Sequence, residues 1–288
     1  MIMDKIYVGT SGWGYPEWKG GFYPRVIEPN EYLLYYSEVY FTTEINTTFY
    51  QIPLQKTIKK WVENTPEDFI FSAKIPQDIT HQFKLNLGKC SSILKKFLDV
   101  MEPLIESNKL LALLLQLPPS FNKNDNFKDL KDFIEYWDRS EKYERVIEFR
   151  HTSWMDDEIF SFLKENQITY CGVIEPLLPP RMDITNPNLS YIRFHGYGAK
   201  PWFNYNFSNA EIEKWAKEIK KLDGKVKKIG IYFNNHFSGY AAKNSLVLMK
   251  ELKINPRNPP GSIKLTKIKK KSGAIPKSQT DLNKFFKK

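Results

Sequence analysis

Residues 145–150, Arg145-Val-Ile-Glu-Phe-Arg150, are typical of the segments that decide the fold of this chain. They form a short β-rich run that ends in a carboxylate and a guanidinium. Seven further β-rich runs recur at residues 6–10, 41–46, 69–74, 110–117, 168–173, 190–195 and 228–234. Strands that alternate with helices predict an α/β fold with a parallel sheet. The count of eight favours a single, closed (β/α)8 barrel of the TIM type, and a doubly wound open sheet is the alternative.

The segments between these strands have helical patterns. We predict helices at residues 31–40, around Trp61, and at residues 158–166, 210–221 and 241–252. The proline cluster from Pro176 to Pro180 predicts a loop.

A second proline cluster marks the expected end of the folded domain. It consists of Pro256, Pro259 and Pro260, followed by Gly261. Barrels of about 250 residues fold as one unit, so a single domain is expected. We therefore predict the barrel at residues 1–255, a flexible lysine-rich linker at residues 256–278 and a short motif at residues 279–286.

The positive charge of the chain is concentrated in its last residues. The formal net charge is +10, and residues 262–288 hold nine Lys and one acid, Asp281, a balance of +8 that leaves +2 for residues 1–261. A run such as Lys269-Lys270-Lys271 can contact phosphates without sequence preference. The alternative is a solvated tail, disordered and kept extended by self-repulsion.

The motif at residues 279–286 has the spacing of a docking peptide. One helical turn would place Leu282, Phe285 and Phe286 on one side, with the Gln279 amide at its edge. The pattern resembles the PIP box, with which proteins bind sliding clamps of the proliferating-cell-nuclear-antigen (PCNA) type. The alternative is a short amphipathic helix that folds back on the barrel.

Composition excludes several other classes of protein. Cys90 and Cys171 are too few for a disulfide framework or a cysteine-based metal site, which favours a cytoplasmic protein. The first residues show no signal-peptide pattern. The longest apolar run, Leu110 to Leu117, is too short to span a bilayer. No membrane partner is therefore expected. Abundant Lys and Glu with scarce Cys lean towards a thermophile.

Polar residues stand at the ends of seven of the eight predicted strands. They are Thr10, Ser11, Glu44, Asn46, Lys74, Gln116, Glu148, Arg150, Arg193, His195, Asn234 and Asn235. Strand six is the exception, with Glu175 just beyond it. Burying such groups costs several kcal/mol unless they are paired, and the carboxyl ends of barrel strands are where active sites form. We expect a shared polar pocket, although salt bridges that seal the barrel mouth would give the same pattern.

Several motifs, in order, carry a resemblance to a known family. They are Val8-Gly-Thr-Ser-Gly-Trp13, Thr43-Glu-Ile-Asn46, Phe71-Ser-Ala-Lys-Ile-Pro76, Leu115-Gln-Leu-Pro-Pro-Ser-Phe121, Glu148-Phe-Arg-His-Thr-Ser-Trp154, Tyr191-Ile-Arg-Phe-His-Gly196 and Tyr232-Phe-Asn-Asn235. Over about residues 6–250 the chain resembles the YecE-like family, domain of unknown function seventy-two. The resemblance implies a TIM barrel and no settled activity. In that family strand six usually ends near an Asp, so Glu175 must replace it from a shifted position or the chemistry is altered.

Three mechanisms fit the predicted pocket. In the first, Glu44 and Glu148 act as general base and general acid. In the second, Glu44, Glu148 and His195, with His81, hold a divalent metal that activates water. In the third, Lys74 joins cationic side chains that bind an anion while a carboxylate moves protons. A desolvated Lys74 could also form a Schiff base.

These alternatives define the candidate site residues. The catalytic candidates are Glu44, Glu148, His195 and Lys74. The substrate-binding candidates are Asn46, His81, Gln116, Arg150, Arg193, Asn234, Asn235 and Trp202, the last as a ring that stacks a base or sugar. Cofactors stay open, with a divalent metal as one option. His151 and His236 fit helix caps or surface positions better than catalysis.

The combined prediction is a DNA-processing or DNA-repair enzyme, a hydrolase of the nuclease or glycosylase type, that a PCNA-type clamp recruits to DNA. Two alternatives remain at this point. One is a non-catalytic, clamp-bound adaptor that binds nucleic acid, and the other is an enzyme acting on a small sugar or phosphate compound.

Overall fold

The computed structural model describes residues 6–137, 140–198, 201–264 and Ile268. Within these residues eight strands form one parallel sheet in the order β1-β8-β7-β6-β5-β4-β3-β2. They are β1 Ile6–Thr10, β2 Thr42–Ile45, β3 Ile70–Lys74, β4 Leu110–Gln116, β5 Glu144–Glu148, β6 Thr169–Ile174, β7 Leu189–Phe194 and β8 Lys228–Phe233. A parallel bridge from Ser11 to Glu44 joins β1 to β2 and closes the ring. The predicted (β/α)8 barrel is confirmed, and the open sheet is wrong.

Eight α-helices lie in the described part of the chain. They are α1 Tyr32–Ser37, α2 Thr47–Tyr50, α3 Gln55–Glu63, α4 Leu87–Glu106, α5 Lys123–Tyr136, α6 Asp157–Glu165, α7 Asn209–Lys220 and α8 Tyr240–Glu251. The predicted helices agree to within a few residues. Between β6 and β7 the described chain has no helix, as the proline cluster predicts. None of the described helices is both long and apolar enough to cross a membrane.

Helix α7 illustrates how the sequence specifies the outer layer. Ser208 accepts from the backbone N–H of Glu211, and the Glu211 carboxylate accepts from the Ser208 N–H, which forms a capping box at the helix start. Ile212, Trp215 and Ile219 then recur at helical spacing and are buried against the sheet. Each buried side chain of this size stabilises the fold by about 1.5–3 kcal/mol.

The barrel interior contains a polar layer below the site. The Tyr232 hydroxyl lies 2.9 Å from Thr42 Oγ1 and 3.0 Å from Ser72 Oγ, so strands β2, β3 and β8 are linked through the barrel centre. The Tyr191 ring packs beside Tyr232, with 4.9 Å between the ring centroids. These contacts identify which side chains of each strand face inward, because inward residues recur at every second position.

Packing against the barrel continues past the predicted boundary at residue 255. The backbone N–H of Arg257 donates to Val39 O at 2.8 Å, and its guanidinium lies 2.9 Å from Asp68. Asn258 donates to Glu38 O at 2.8 Å, and Ile268 is fully buried. This segment therefore lies at the amino ends of β2 and β3. The rest of the predicted linker and the motif at residues 279–286 lie outside the described residues.

Candidate active site at the carboxyl ends of the strands

Strand alternation brings two glutamates and one arginine together. Glu44 lies two residues after the inward-facing Thr42, and Arg193 two residues after the inward-facing Tyr191. Arg193 Nη2 donates to Glu44 Oε1 at 2.7 Å, and Nη1 donates to Glu148 Oε2 at 2.6 Å. All three side chains are buried. The guanidinium therefore bridges β2 and β5 from its position on β7.

Both oxygens of Glu44 are hydrogen-bonded. Oε1 accepts from Arg193, and Oε2 accepts from the Tyr191 hydroxyl at 2.7 Å. Tyr191 was not among the predicted site residues, although its position two residues before Arg193 on an inward-facing register is a signal that could have found it.

Glu148 is held as a carboxylate by two arginines. Its Oε1 accepts from Arg150 Nε at 2.6 Å, and its Oε2 accepts from Arg193. Burial alone would raise the pKa of Glu148, but the charges of Arg150 and Arg193 outweigh burial and hold that pKa well below its usual range. Glu148 is therefore ionised near neutral pH and is a weak base.

Glu175 joins the same network from β6. Cys171 Sγ reaches Glu148 Oε2 at 3.7 Å, so residues 171, 173 and 175 face the barrel interior. Arg150 Nη1 donates to Glu175 Oε2, whereas Glu175 Oε1 is buried and has no hydrogen-bond partner in the part of the chain that the structure describes. Burial raises the pKa of Glu175 to about 7, against the opposing charge of Arg150. Glu175, one residue beyond β6, thus brings a carboxyl group into the ionic network.

His195 is neutral in this network. Arg150 Nη2 lies 2.9 Å from His195 Nε2, and Nδ1 lies 3.0 Å from the amide of Asn234. Burial, with the charges of Arg150 and Arg193, lowers the pKa of His195 to about 3. Because the Arg150 guanidinium only donates, the lone pair of Nε2 accepts this contact.

Lys74 is a largely buried residue whose amine has no hydrogen-bond acceptor among the described residues. It is the last residue of β3, two positions after the inward-facing Ser72, and only 9% of it is exposed. Its Nζ lies 3.6 Å from the centroid of the Phe49 ring, and no described residue forms a hydrogen bond or ion pair with it. Burial and then the charge of Arg193 lower the pKa of Lys74 to about 7.

The comparison with known proteins places this barrel in a family. The family model described as "Protein of unknown function DUF72" matches residues 7–268. The chain belongs to the DUF72 family. The predicted clamp motif at residues 279–286 lies outside the matched region.

Individual DUF72 relatives extend the comparison. The chain is 28% identical over 276 residues to the UPF0759 protein YunF of Bacillus subtilis (strain 168), a match covering 86% of this chain and 95% of YunF. It is 32% identical over 120 residues to the UPF0759 protein YecE of Escherichia coli (strain K12), covering 42% of this chain and 40% of YecE. The crystal structure of a DUF72 family protein from Thermotoga maritima MSB8 superposes with a TM-score of 0.78 at 34% identity, covering 86% of this chain and 99% of that one.

Other predicted residues of this DUF72 site surround the ionic network. Asn46 donates to Asn234 Oδ1 at 3.3 Å, and its own Oδ1 is buried without a partner. Gln116 donates to Leu117 O at 2.7 Å. His81 packs against Phe49, with 5.0 Å between the rings, and burial and then Lys74 lower its pKa to about 4.

Two predicted substrate-binding residues have structural contacts of their own. Asn235 donates to Tyr205 O at 2.7 Å and to Asn244 Oδ1 at 2.8 Å, which ties the end of β8 to α8. Trp202 is partly buried, and its backbone oxygen accepts from the Gly198 N–H at 2.9 Å. His151 caps the turn Thr152–Trp154, as predicted.

The metal-site mechanism has no supporting geometry in the described residues. No group of three His, Cys, Asp or Glu side chains among them could hold a metal ion. The physical reason is that Arg193 lies between Glu44 and Glu148 and takes an oxygen of each carboxylate. The predicted metal ligands are thereby turned into an ion-pair network.

A cavity on the described surface opens at the other end of the barrel. It has a volume of about 600 Å³ and is lined by Ser140, Glu141, Tyr143, Glu144, Arg145, Gln167 and Asn188. These residues lie around the amino ends of β5 and β6, where TIM barrels do not place catalysis. The chemistry-bearing residues gather at the opposite end.

Proposed function

We propose that this DUF72 barrel is an enzyme that moves protons on an anionic substrate at the carboxyl ends of its strands, and that its tail recruits it to DNA through a PCNA-type sliding clamp. In this proposal Glu175 is the general acid and Lys74 is the general base or nucleophile. Glu44 and Glu148 position the arginines. The acid and base roles that the sequence predicts for these two glutamates are assigned to Glu175 and Lys74 instead.

One observation carries the catalytic part of the proposal: Glu175 Oε1 is buried in the ionic network without a hydrogen-bond partner. Leaving such a group unsatisfied costs about 1–3 kcal/mol, and a substrate atom at this position would recover that energy. Arg193 Nε, on the same network, is also buried without a partner. Two unsatisfied polar atoms, one on a carboxyl and one on a guanidinium, fit a ligand that both accepts and donates.

The charge balance favours an anion. The cluster is neutral when Lys74 is the free amine and Glu175 is protonated. When Lys74 is charged as well, the cluster holds three cations, Lys74, Arg150 and Arg193, and two carboxylates, a net charge of +1. A bound anionic group would neutralise it. The two groups with a pKa of about 7 are those suited to exchange protons at neutral pH.

The DNA part of the proposal rests on the tail. Gln279, Leu282, Phe285 and Phe286 have the spacing of a clamp-binding motif, and residues 262–288 carry a charge of +8. A barrel region with a charge of only +2 has little electrostatic attraction to DNA, so tethering would raise its local concentration there.

A second candidate function is an enzyme acting on a free sugar or phosphate compound. It is favoured by the position of the clamp motif outside residues 7–268, because the barrel chemistry then need not involve DNA. The same proton-transfer residues would act in both cases.

A substrate panel tests the catalytic proposal. The full chain is incubated with single-stranded, duplex, uracil-, hypoxanthine- and abasic-containing DNA and with sugar phosphates. Turnover of at least one substrate should fall by about 100-fold or more in Glu175→Gln and in Lys74→Arg. The exposed Glu213→Gln serves as a matched control. Turnover that survives both site substitutions would contradict the assignment, and binding without turnover would support the adaptor.

Calorimetry tests recruitment. Binding of a PCNA-type clamp should be lost in the double variant Phe285→Ala/Phe286→Ala. Equal affinity of this variant and the unaltered chain would overturn clamp docking.

A further inference from the structure

We propose that Lys74 forms a Schiff base with a sugar aldehyde that carries a phosphate group. This rests on the active site proposed above and names the substrate class and the covalent step.

The placement of Lys74 is that of a nucleophile aimed into the site. Ser72 and Lys74 lie on the same face of β3, and the Ser72 hydroxyl meets Tyr232 in the barrel centre. Lys74 therefore projects above this layer, towards the arginines and carboxylates at the strand ends. Helix α2, which follows β2, holds the strand end in place, since Thr48 Oγ1 donates to Lys74 O at 2.6 Å.

A second buried lysine, Lys109, has the hydrogen bonds of a structural residue. Lys109 is 5% exposed, and its Nζ donates to Val62 O and Thr65 O at 2.9 Å and to Thr65 Oγ1 at 3.1 Å. Its ammonium thus binds carbonyls at the end of α3. Lys74 is buried to a similar extent but has no acceptor among the described residues, only the Phe49 ring at 3.6 Å. A buried ammonium without acceptors favours its free-amine form, and the free amine is the nucleophile.

The charged groups around Lys74 act in opposite directions, and burial is the largest cause of its lowered pKa. It faces Arg193 and Arg150, which disfavour the ammonium, and Glu148 and Glu44, which favour it but are paired with those arginines. His81, on the segment after β3, is neutral at pH 7. At pH 7 the free-amine fraction of Lys74 exceeds that of an ordinary lysine by a factor on the order of a thousand.

We infer a phosphate group on the substrate from the positive charge that remains in the site after Lys74 has formed the imine. Lys74 becomes part of the imine, and Arg193 Nε stays as a buried donor without a partner. Arg150 and Arg193 supply positive charge beside it. A phosphate next to the aldehyde would meet this charge and fix the carbonyl carbon near Nζ.

Glu175 completes the step. The neutral amine of Lys74 attacks the aldehyde carbon, and one of its protons passes to the carbonyl oxygen, which gives a carbinolamine. The carbinolamine hydroxyl then leaves as water with the proton of the Glu175 carboxyl. The products are a protonated imine at Lys74, one water molecule and the Glu175 carboxylate, so atoms and charge balance without an oxidant or reductant.

A sugar aldehyde with a phosphate group can come from an abasic site in DNA or from a free sugar phosphate, and the experiment tests each substrate separately. The full chain is treated with sodium borohydride in the presence of an oligonucleotide containing one abasic deoxyribose, or of free 2-deoxyribose 5-phosphate. Reduction converts the imine to a stable amine, which is read as an intact-mass increase and mapped to the peptide that contains Lys74. An adduct in the first arm identifies a DNA substrate, and one in the second arm a free sugar phosphate.

Variants give the test its controls. The expected result is an adduct on Lys74 in at least one arm, lost in Lys74→Arg and retained in Lys109→Arg, with unchanged circular dichroism in both. An adduct that is absent in both arms, or that persists in Lys74→Arg, would overturn the inference. The proposed function is judged separately. Turnover without an adduct would support proton transfer and contradict the Schiff base. An adduct without turnover would support the Schiff base and contradict catalysis.

Discussion

Arg150 donates to only one of the two carboxylate oxygens of Glu175 and leaves the other, Oε1, buried without a partner. The guanidinium of Arg150 is also shared with Glu148 and His195, so it does not neutralise Glu175 fully. Burial therefore dominates and raises the pKa of Glu175 to about 7. The proposal of an active site, rather than a set of salt bridges that closes the barrel, rests on this half-satisfied acid together with Lys74.

The rate of imine formation should depend on pH with a maximum near pH 7. Below that pH the Lys74 amine is protonated, and above it Glu175 has lost the proton that it must donate. Borohydride trapping at a series of pH values measures the profile. In Glu175→Gln the remaining rate should rise with pH and then stay level, because the acid that titrates on the alkaline side is gone. An unchanged bell-shaped profile in that variant would assign the acid to another group.

Relative to the double variant Lys74→Met/Glu175→Gln, which keeps the lowered pKa values of His195 and His81, the stability of the unaltered chain should pass through a minimum near neutral pH. The raised pKa of Glu175 means that the folded state binds its proton more tightly, so this contribution to the free energy of unfolding falls from about pH 4.5 to about pH 7. The lowered pKa of Lys74 means that the folded state releases its proton earlier, so stability rises from about pH 7 to about pH 10.5. Urea unfolding at pH 5, 7 and 9 should show this minimum.

The double variant Lys74→Met/Glu175→Gln provides the comparison for that profile. Compared with the unaltered chain at the same pH, it should gain most stability near pH 7 and less at pH 5 and pH 9. Equal pH dependence of the two proteins would show that neither group has the shifted pKa.

Removing Arg193 should destabilise the barrel strongly. Arg193→Met leaves Glu44 and Glu148 buried with fewer partners, and breaking such a buried pair costs about 3–5 kcal/mol. Lys217→Ala removes an exposed ion pair to Glu213 and should leave stability almost unchanged. Chemical denaturation of both variants measures the difference. Similar small losses in both would mean that the Arg193 bridge contributes little to folding.

Two truncations should separate the docked segment from the tail. Removal of residues 273–288 leaves Arg257, Asn258 and Ile268 in place and should not change the melting temperature, while clamp binding is lost. Removal of residues 256–288 deletes the contacts of Arg257 and Asn258 with Val39, Asp68 and Glu38, and should cost about 2 kcal/mol or more. Equal melting temperatures for the two truncations would show that the docked segment does not stabilise the barrel.

The fold could be predicted from the sequence because each strand is a short apolar run and each connection has a helical period or a proline-rich loop. The location of the site could also be predicted, because burying a charged Glu or Arg at the end of an apolar strand is unfavourable unless the side chain is paired there. Glu44, Glu148, Arg150, Arg193 and His195 do meet at one end of the barrel.

The pairing within the site could not be predicted in the same way. Sequence order does not say that Arg193 reaches both Glu44 and Glu148, and this one geometry turns two candidate catalysts into positioning groups. The inward direction of Glu175 depends on the register of β6, which extends to Ile174, one residue further than predicted. The contrast between Lys74 and Lys109 depends on which carbonyls surround each amine, and that is a property of the folded chain alone.

A nuclear magnetic resonance titration of the full chain labelled with [13Cε]lysine tests the central claim most directly, because it needs no substrate. One lysine signal should titrate near pH 7, well below the value of about 10.4 for lysine in a model peptide, and be absent from the spectrum of Lys74→Met. If the signal that disappears in Lys74→Met instead titrates with the ordinary lysines, Lys74 is a charged structural residue and the proposed active site is contradicted.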